Sequence, residues 1–254
     1  AVIYKGMRIE HADGPRPVDV MVRPIRTRRG GDVFALVTLQ PSANAQPSEP
    51  SEPAPVPMEE ARSLYVEQAR LGERLRLGAG ESAGAGDEPL AESAKPLVIW
   101  DVGLGAAANA MAAVLAYEEA AEAGPARPLT IVSFENDLDP LRLALKHDRL
   151  FPYLRHAGPP TLLREGRWRS KKHAGLEWRL EEGDFLDRIA HAPAPDFVFY
   201  DVYSGDTHAS AWTLATFRRL AAAFGDRPVE LFTYSASTAV RAAVLAAGLR
   251  VAKG

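Results

Sequence analysis

From residue 97 onward, short apolar runs alternate with longer amphipathic ones, and this alternation most constrains what the chain can fold into. Leu97–Asp101, Leu129–Glu135, Leu176–Leu180, Asp196–Asp201 and Val229–Tyr234 read as strands. Ala106–Glu122, Asp137–Leu150, Phe185–Ala192, Ser210–Phe224 and Ala236–Ala247 read as helices, and Leu249–Lys253 begins another strand. Repeated βα units imply right-handed crossovers, hence an α/β fold of Rossmann-like type: a doubly wound, mostly parallel sheet with helices on both faces. Such sheets bind ligands beyond the carboxyl ends of their strands, where the strand order reverses. The residues just after each strand are therefore the candidate site.

The first part of the chain is different. Residues 1–40 read as short strands and turns, with Val33–Leu39 entered by Gly30-Gly31. Residues 41–57 hold six prolines in seventeen positions and cannot pack a core. The expected organisation is a small β appendage with a proline-rich linker over 1–57, then one domain over 58–254. A flexible Gly- and Ala-rich break over 78–96 interrupts that domain. Residues 58–77 read as a helix with Ala61, Leu64, Gln68, Leu71 and Leu75 on one stripe. Gln68 is its polar member, either an edge residue or a side chain aimed into a site.

The chain has no cysteine, which excludes a disulfide scaffold, zinc ribbons, iron–sulfur clusters and cysteine nucleophiles. No apolar run reaches the roughly 18 residues of a spanning helix, and Ala1–Glu10 has no signal pattern. The expectation is a cytoplasmic protein that does not engage a membrane. No His spacing suits a metal; His147, His156, His173 and His208 read as surface residues. Net charge is −3, but it is unevenly spread. Arg16–Arg29 carries five Arg and one Asp; Arg155–Arg179 carries seven Lys or Arg and two Glu, with Trp168 and Trp178 among them. Cations interleaved with aromatics on an acidic body suit a phosphate-facing RNA surface. A solvated arginine-rich loop is the plainer alternative.

The strand ends carry the chemistry. Asp101-Val102-Gly103-Leu104-Gly105 closes the first strand, and its two glycines permit a sharp turn and close backbone approach to a ligand. The pattern resembles a dinucleotide loop. Asp101 immediately before it would repel a pyrophosphate and attract an ammonium or sulfonium, which favours S-adenosylmethionine over NAD. Glu135 after the second strand can accept ribose hydroxyls. Asp184 after the third can accept from an adenine amino group, with Phe185 against the ring; it also suits a helix N-cap. Asp201, Tyr203 and Ser204 after the fourth bring a carboxylate, a phenol and a hydroxyl to the mouth of the site.

The last segments are similar to a known family. Thr233-Tyr234-Ser235-Ala236…Val240-Arg241 and Leu245…Gly248-Leu249-Arg250-Val251 resemble T-Y-S-A-x-x-x-V-R…L-x-x-A-G-F-x-V of the MnmC methyltransferase domain family, which acts in tRNA 5-methylaminomethyl-2-thiouridine biosynthesis. Gly103-Leu104-Gly105 with Asn109, Asp201-Val202-Tyr203-Ser204…Trp212, and Met58-Glu59-Glu60-Ala61 with Tyr65 extend the resemblance over about 58–254. It implies SAM-dependent N-methylation of an aminomethyl group on a tRNA wobble uridine. Asp101, Gly103, Gly105, Asn109, Glu135 and Asp184 would hold SAM, and Asp201 and Tyr203 would face the amine. The basic segment, with Arg167, Arg169, Lys171 and Lys172, would dock tRNA. The oxidase half of bifunctional members is not in this sequence, so neither FAD nor a metal is implied. Departures from the family are Gly205-Asp206 for Pro-Lys, His208-Ala209 for Asn-Pro, and Gly105-Ala106-Ala107 for G-T-G. A methyltransferase for a non-tRNA substrate, a non-catalytic RNA-binding relative and an NAD-dependent oxidoreductase remain the alternatives.

Overall fold

The computed structural model describes residues 2–9, 16–26, 33–41, 57–77, 95–202, 210–235 and 237–252. The chain divides into two compact units, Ala1–Ala54 and Pro55–Gly254. The first unit is a three-stranded antiparallel meander of β1 (Val2–Ile9), β2 (Arg16–Arg26) and β3 (Val33–Pro41). Val22 pairs with Val2 on one side and Val37 on the other.

The second unit holds a six-stranded sheet of β4 (Leu97–Val102), β5 (Leu129–Glu135), β6 (Arg167–Arg169), β7 (Leu176–Glu182), β8 (Phe197–Tyr200) and β9 (Glu230–Phe232). Their spatial order is β6-β7-β5-β4-β8-β9, with every neighbour parallel except β6 on β7. From β4 the chain steps outward through β5 to β7, then returns to the other side of β4 as β8. The order therefore reverses between β4 and β8, the position at which open α/β sheets bind ligands.

The strands are apolar because both faces are covered. Leu97, Ile99, Leu129, Ile131, Trp178 and Phe199 share one face with α1 (Pro57–Ala61), α2 (Leu71–Leu77), α3 (Ala108–Ala123), α4 (Asp139–Lys146) and α5 (Gly158–Glu165). Val98, Trp100, Val132, Phe134, Val198 and Tyr200 form the other with α6 (Phe185–Arg188), α7 (Leu214–Phe224) and α8 (Thr238–Ala246). The fold is thus the doubly wound α/β sandwich that the alternation implies.

Five local features depart from expectation. The helix over 58–77 is broken: a π-helical turn, Arg62–Glu67, follows α1, and Arg70 adopts φ 49° before α2. The wider turn rotates Tyr65 and Val66 inward and leaves Gln68 exposed. Second, the basic segment is folded rather than a loop. It contains α5, whose Pro159 and Pro160 occupy the first helical turn where a missing N–H costs nothing, and the edge strand β6. Third, Trp168 and Trp178 are 7% and 0% exposed, so neither offers a ring to RNA. Strand alternation turns both inward while Arg167, Arg169 and Arg179 point away. Last, His156 and His173 are half-buried rather than surface residues, and 249–252 form no strand. No described helix is long and apolar enough to cross a membrane.

Candidate functional site

Two adjoining clefts open at the carboxyl ends of β4 and β8. The larger, about 780 Å³, runs from Gly103 and Gly105 past Glu135 to Asp184 and Phe185, with Asp201 at one end. The smaller, about 400 Å³, lies between the π-helical turn and the start of α3, lined by Tyr65, Asn109, Asp201 and Tyr234 among others. Gly103, Gly105 and Asp201 line both, so Asp201 stands at the seam.

The glycine loop is built by close backbone approach. Gly103 adopts φ 91°, and a Cβ there would lie 2.6 Å from the carbonyl oxygen of Asp201. The two strand ends therefore pack backbone against backbone, tied by Gly103 N–H to Phe134 O (3.1 Å) and Asp201 N–H to Val102 O (2.9 Å). At Ala107, where the resembling family has glycine, the chain still takes the left-handed conformation, φ 64°. That costs an L-residue about 1–2 kcal/mol. The loop is closed by Ala107 N–H to Leu104 O at 2.7 Å before α3 begins.

Glu135 organises the cleft floor. Its Oε2 accepts from Gly105 N–H (3.1 Å), and its Oε1 accepts from Asn136 N–H (2.9 Å) and Asp137 N–H (3.0 Å). One carboxylate thus joins the β4 and β5 loops. Asp184 is the N-cap of α6, its Oδ1 accepting from Leu186 N–H at 2.9 Å, and it lines the cleft as well. Phe185 stands edge-on to Phe134 and Tyr200, with centroids 6.5 and 5.8 Å away, which fixes its ring in the wall.

Asp201 is held from α3: Asn109 donates through Nδ2 to Asp201 Oδ2 at 2.7 Å. Burial pushes the Asp201 carboxyl above its usual range, and the Asn109 hydrogen bond opposes that push. The Tyr65 hydroxyl lies beside Asp201 without closing a hydrogen bond of standard geometry.

Asp101 differs from expectation. It lies within β4, fully buried, and lines neither cleft. It shares the face of Leu97 and Ile99, so its side chain enters the core under α3 rather than the ligand cleft. Its Oδ2 accepts from Ser133 Oγ–H (2.6 Å), and Ser133 accepts from Trp178 Nε1–H (2.8 Å); Oδ1 has no partner among the described residues. Burial pushes the Asp101 carboxyl up to about 7, against the Ser133 hydrogen bond.

Of the other expected site residues, Gln68 lines neither cleft, and Tyr203 and Ser204 lie outside the described residues. Arg167 and Arg169, with Arg179, converge on Glu177 at 2.6, 3.2 and 2.7 Å. Lys172 pairs with Glu122. Arg169 pairs in register with Glu177, and Ser170 N–H bonds Leu176 O, so Lys171 and Lys172 follow at the amino end of β7, opposite the clefts. The structure also supplies residues that sequence reasoning did not select. Tyr65 is brought in by the π-helical turn, and Tyr234 donates to Val202 O at 3.3 Å. Arg219 lines the larger cleft and bonds Leu186 O at 3.1 Å; helical periodicity alone did not separate it from Arg218. No trio of His, Asp or Glu among the described residues could hold a metal ion.

Residues 164–254 match a family model described as S-adenosyl-L-methionine-dependent methyltransferase. This match covers the T-Y-S-A segment and β7 to α8. No curated protein matches the chain. Among solved structures, the chain is similar to MnmC2 from Aquifex aeolicus, with 21% identity and a TM-score of 0.48 over 75% of this chain and 54% of that one. The chain thus spans about half the length of that protein. It is also similar to the rRNA methyltransferase AviRa from Streptomyces viridochromogenes, with 18% identity and a TM-score of 0.36 over 72% of this chain and 76% of that one.

Proposed function

We propose that the chain is a SAM-dependent N-methyltransferase whose acceptor is an aliphatic amine, the aminomethyl group of a wobble uridine in tRNA. The observation that carries the methyl-transfer reading is the pair of clefts meeting at Asp201. One has the size and lining for a nucleoside, and the other ends on a carboxylate. The residues fit an adenosyl ligand: Gly105, in the wall of the larger cleft, has nothing within 4 Å of where a Cβ would sit, so the loop leaves open space there. Glu135 would take ribose hydroxyls, Asp184 the adenine amino group through its second oxygen, and Phe185 the ring face.

When bound, SAM supplies a methyl group on a positively charged sulfur. The protein's part is to present a neutral amine to it in line, and such positioning supplies roughly 7–11 kcal/mol of the barrier. An aliphatic amine with a pKa near 10.4 costs about 4–5 kcal/mol to neutralise at pH 7. Asp201, steered by Asn109, would hold the ammonium and accept its proton, leaving the lone pair free.

The tRNA acceptor is supported by the motif resemblance and by the cations of β6 and β7. A non-tRNA amine acceptor is the second reading, favoured by the position of Lys171 and Lys172 at the far end of β7. Labelled methyl transfer from SAM to bulk tRNA and, in parallel, to a panel of small amines distinguishes them. Labelled tRNA yielding a methylaminomethyl uridine supports the first reading. Label only in a small amine establishes the second, and label in neither refutes both.

A further inference from the structure

The glycine loop, Glu135 and Asp201 belong to the site already described. What that site leaves without a role is Arg219. Five carboxylates line the larger cleft, those of Glu135, Asp137, Asp184, Asp187 and Asp201, and Arg219 is the one cation among the described lining residues. It stands on α7, one turn beyond Thr216, which lines the same cleft.

Its contacts are specific. Phe217, Leu220 and Phe224 turn into the core, and Arg219 reaches from the flank of α7 to α6. Its Nη2 donates to Leu186 O at 3.1 Å and lies 3.5 Å from Asp187 Oδ1. The two side chains of that ion pair are 55% and 76% exposed, so the pair contributes little, and the bond to the carbonyl is the contact that matters. Leu186 N–H is already bonded to Asp184 Oδ1, at 2.9 Å. Leu186 is therefore gripped at both backbone groups, by Asp184 at N–H and by Arg219 at C=O. Just upstream, Gly183 N–H donates to Glu135 O at 2.8 Å. The turn 183–186 is thus tied to β5 at one end and to α7 at the other. α6 has four residues, too few to hold a helical turn unaided, so these ties set where Asp184 and Phe185 stand.

We propose that Arg219 is a positioning residue for the base of the donor: by holding Leu186 O, it sets the turn that presents Asp184 and Phe185 to a 6-aminopurine. The inference rests on the reading of Asp184 as acceptor from the adenine amino group. A 6-oxopurine places a carbonyl where adenine has that amino group and sets acceptor against acceptor, so base preference reports whether the turn is in place. Charge alone predicts the opposite sign for the donor itself. SAM carries a sulfonium, and removing the one cation from a cleft lined by carboxylates would strengthen its binding. An uncharged nucleoside isolates the positioning effect.

Calorimetric titration of 5′-methylthioadenosine and 5′-methylthioinosine into wild type, Arg219→Ala, Arg219→Lys and Arg218→Ala tests it. Arg219 is exposed, so its variants fold; Arg218, also exposed, lines neither cleft and matches the change in charge. The wild type is expected to prefer the adenine nucleoside. Arg219→Ala should bind it about three- to tenfold more weakly, the worth of about one hydrogen bond, and lose less for the inosine analogue, so the preference narrows. Arg219→Lys, which keeps a donor, should recover part of the loss, and Arg218→Ala should match the wild type. In ligand-free protein, hydrogen exchange at Leu186 N–H should quicken several-fold in Arg219→Ala. An unchanged base preference or unchanged Leu186 exchange in Arg219→Ala, or an equal loss in Arg218→Ala, overturns the inference. A wild type that takes up neither nucleoside refutes the adenosyl reading of the cleft and the base selectivity with it; quickened Leu186 exchange then shows that the tie itself stands.

Discussion

The Gly103 loop offers the sharpest quantitative test, because its neighbour Gly105 provides an internal control. In Gly103→Ala, the new Cβ would lie 2.6 Å from Asp201 O, 2.9 Å from Asp201 C and 3.2 Å from Val202 Cα. All three are backbone atoms of the segment leaving β8, so no side chain can swing away. Overpacking of this kind costs about 1–3 kcal/mol, and the positive φ adds about 1–2 kcal/mol. The expected loss is about 2–5 kcal/mol, a large share of the 5–15 kcal/mol typical of a whole domain. Gly105→Ala meets nothing within 4 Å, so only its φ of 50° counts, about 1 kcal/mol. Urea unfolding of the two variants at constant m-value reads the difference directly. Gly103→Ala should also weaken SAM binding more than Gly105→Ala, because relieving the contact must move Asp201 or Val202. Equal destabilisation by the two substitutions would refute the backbone-against-backbone account of the β4–β8 seam.

Asp101 makes stability depend on pH in a defined direction. Its folded pKa, about 7, lies above the unfolded value of 3.8, so the folded state binds the proton more tightly. That contribution is complete below the unfolded value and is lost as pH rises through 7. Asp101→Asn should therefore gain on the wild type by about 2–3 kcal/mol between pH 5 and pH 8; parallel pH profiles in denaturant titrations would contradict this. Asp201→Ala should keep SAM affinity within a few-fold while abolishing turnover, measured by calorimetry and label transfer; equal loss of both would place Asp201 in the cofactor set. Arg167→Gln with Arg169→Gln should lower the slope of log affinity for tRNA against log salt by about 1.5, and an unchanged slope would remove β6 from the tRNA surface.

Much of the fold is legible in the sequence because its strands are apolar runs covered on both faces. Leu97–Val102 and Phe197–Tyr200 could hardly be anything but buried strands. The strand-end rule likewise identifies Glu135, Asp184 and Asp201 as cleft residues, and all three line the larger cleft. Asp101 escapes that rule because it is the fifth residue of a six-residue strand rather than the first residue after it, and parity sends it inward. The burial of Trp168 and Trp178 is written in the alternation of Arg-Trp-Arg and Leu-Glu-Trp-Arg-Leu, a local signal that charge counting overlooks. Tyr65 is different. Only the π-helical turn brings it over the β4–β8 seam, and a 3.6-residue period gives no sign of a wider turn. The pairing of Arg167, Arg169 and Arg179 with one Glu177 depends on antiparallel register between β6 and β7, which neither strand specifies alone.

Calorimetric titration of SAM into the wild-type protein and Glu135→Gln tests the central claim most directly, since Glu135 joins both loops of the larger cleft through three backbone N–H groups. The account predicts a single site in the wild type and at least a tenfold loss of affinity in the variant, the worth of about one charge-assisted hydrogen bond. A wild type that takes up no SAM, or a variant that binds it equally well, would contradict the assignment of that cleft.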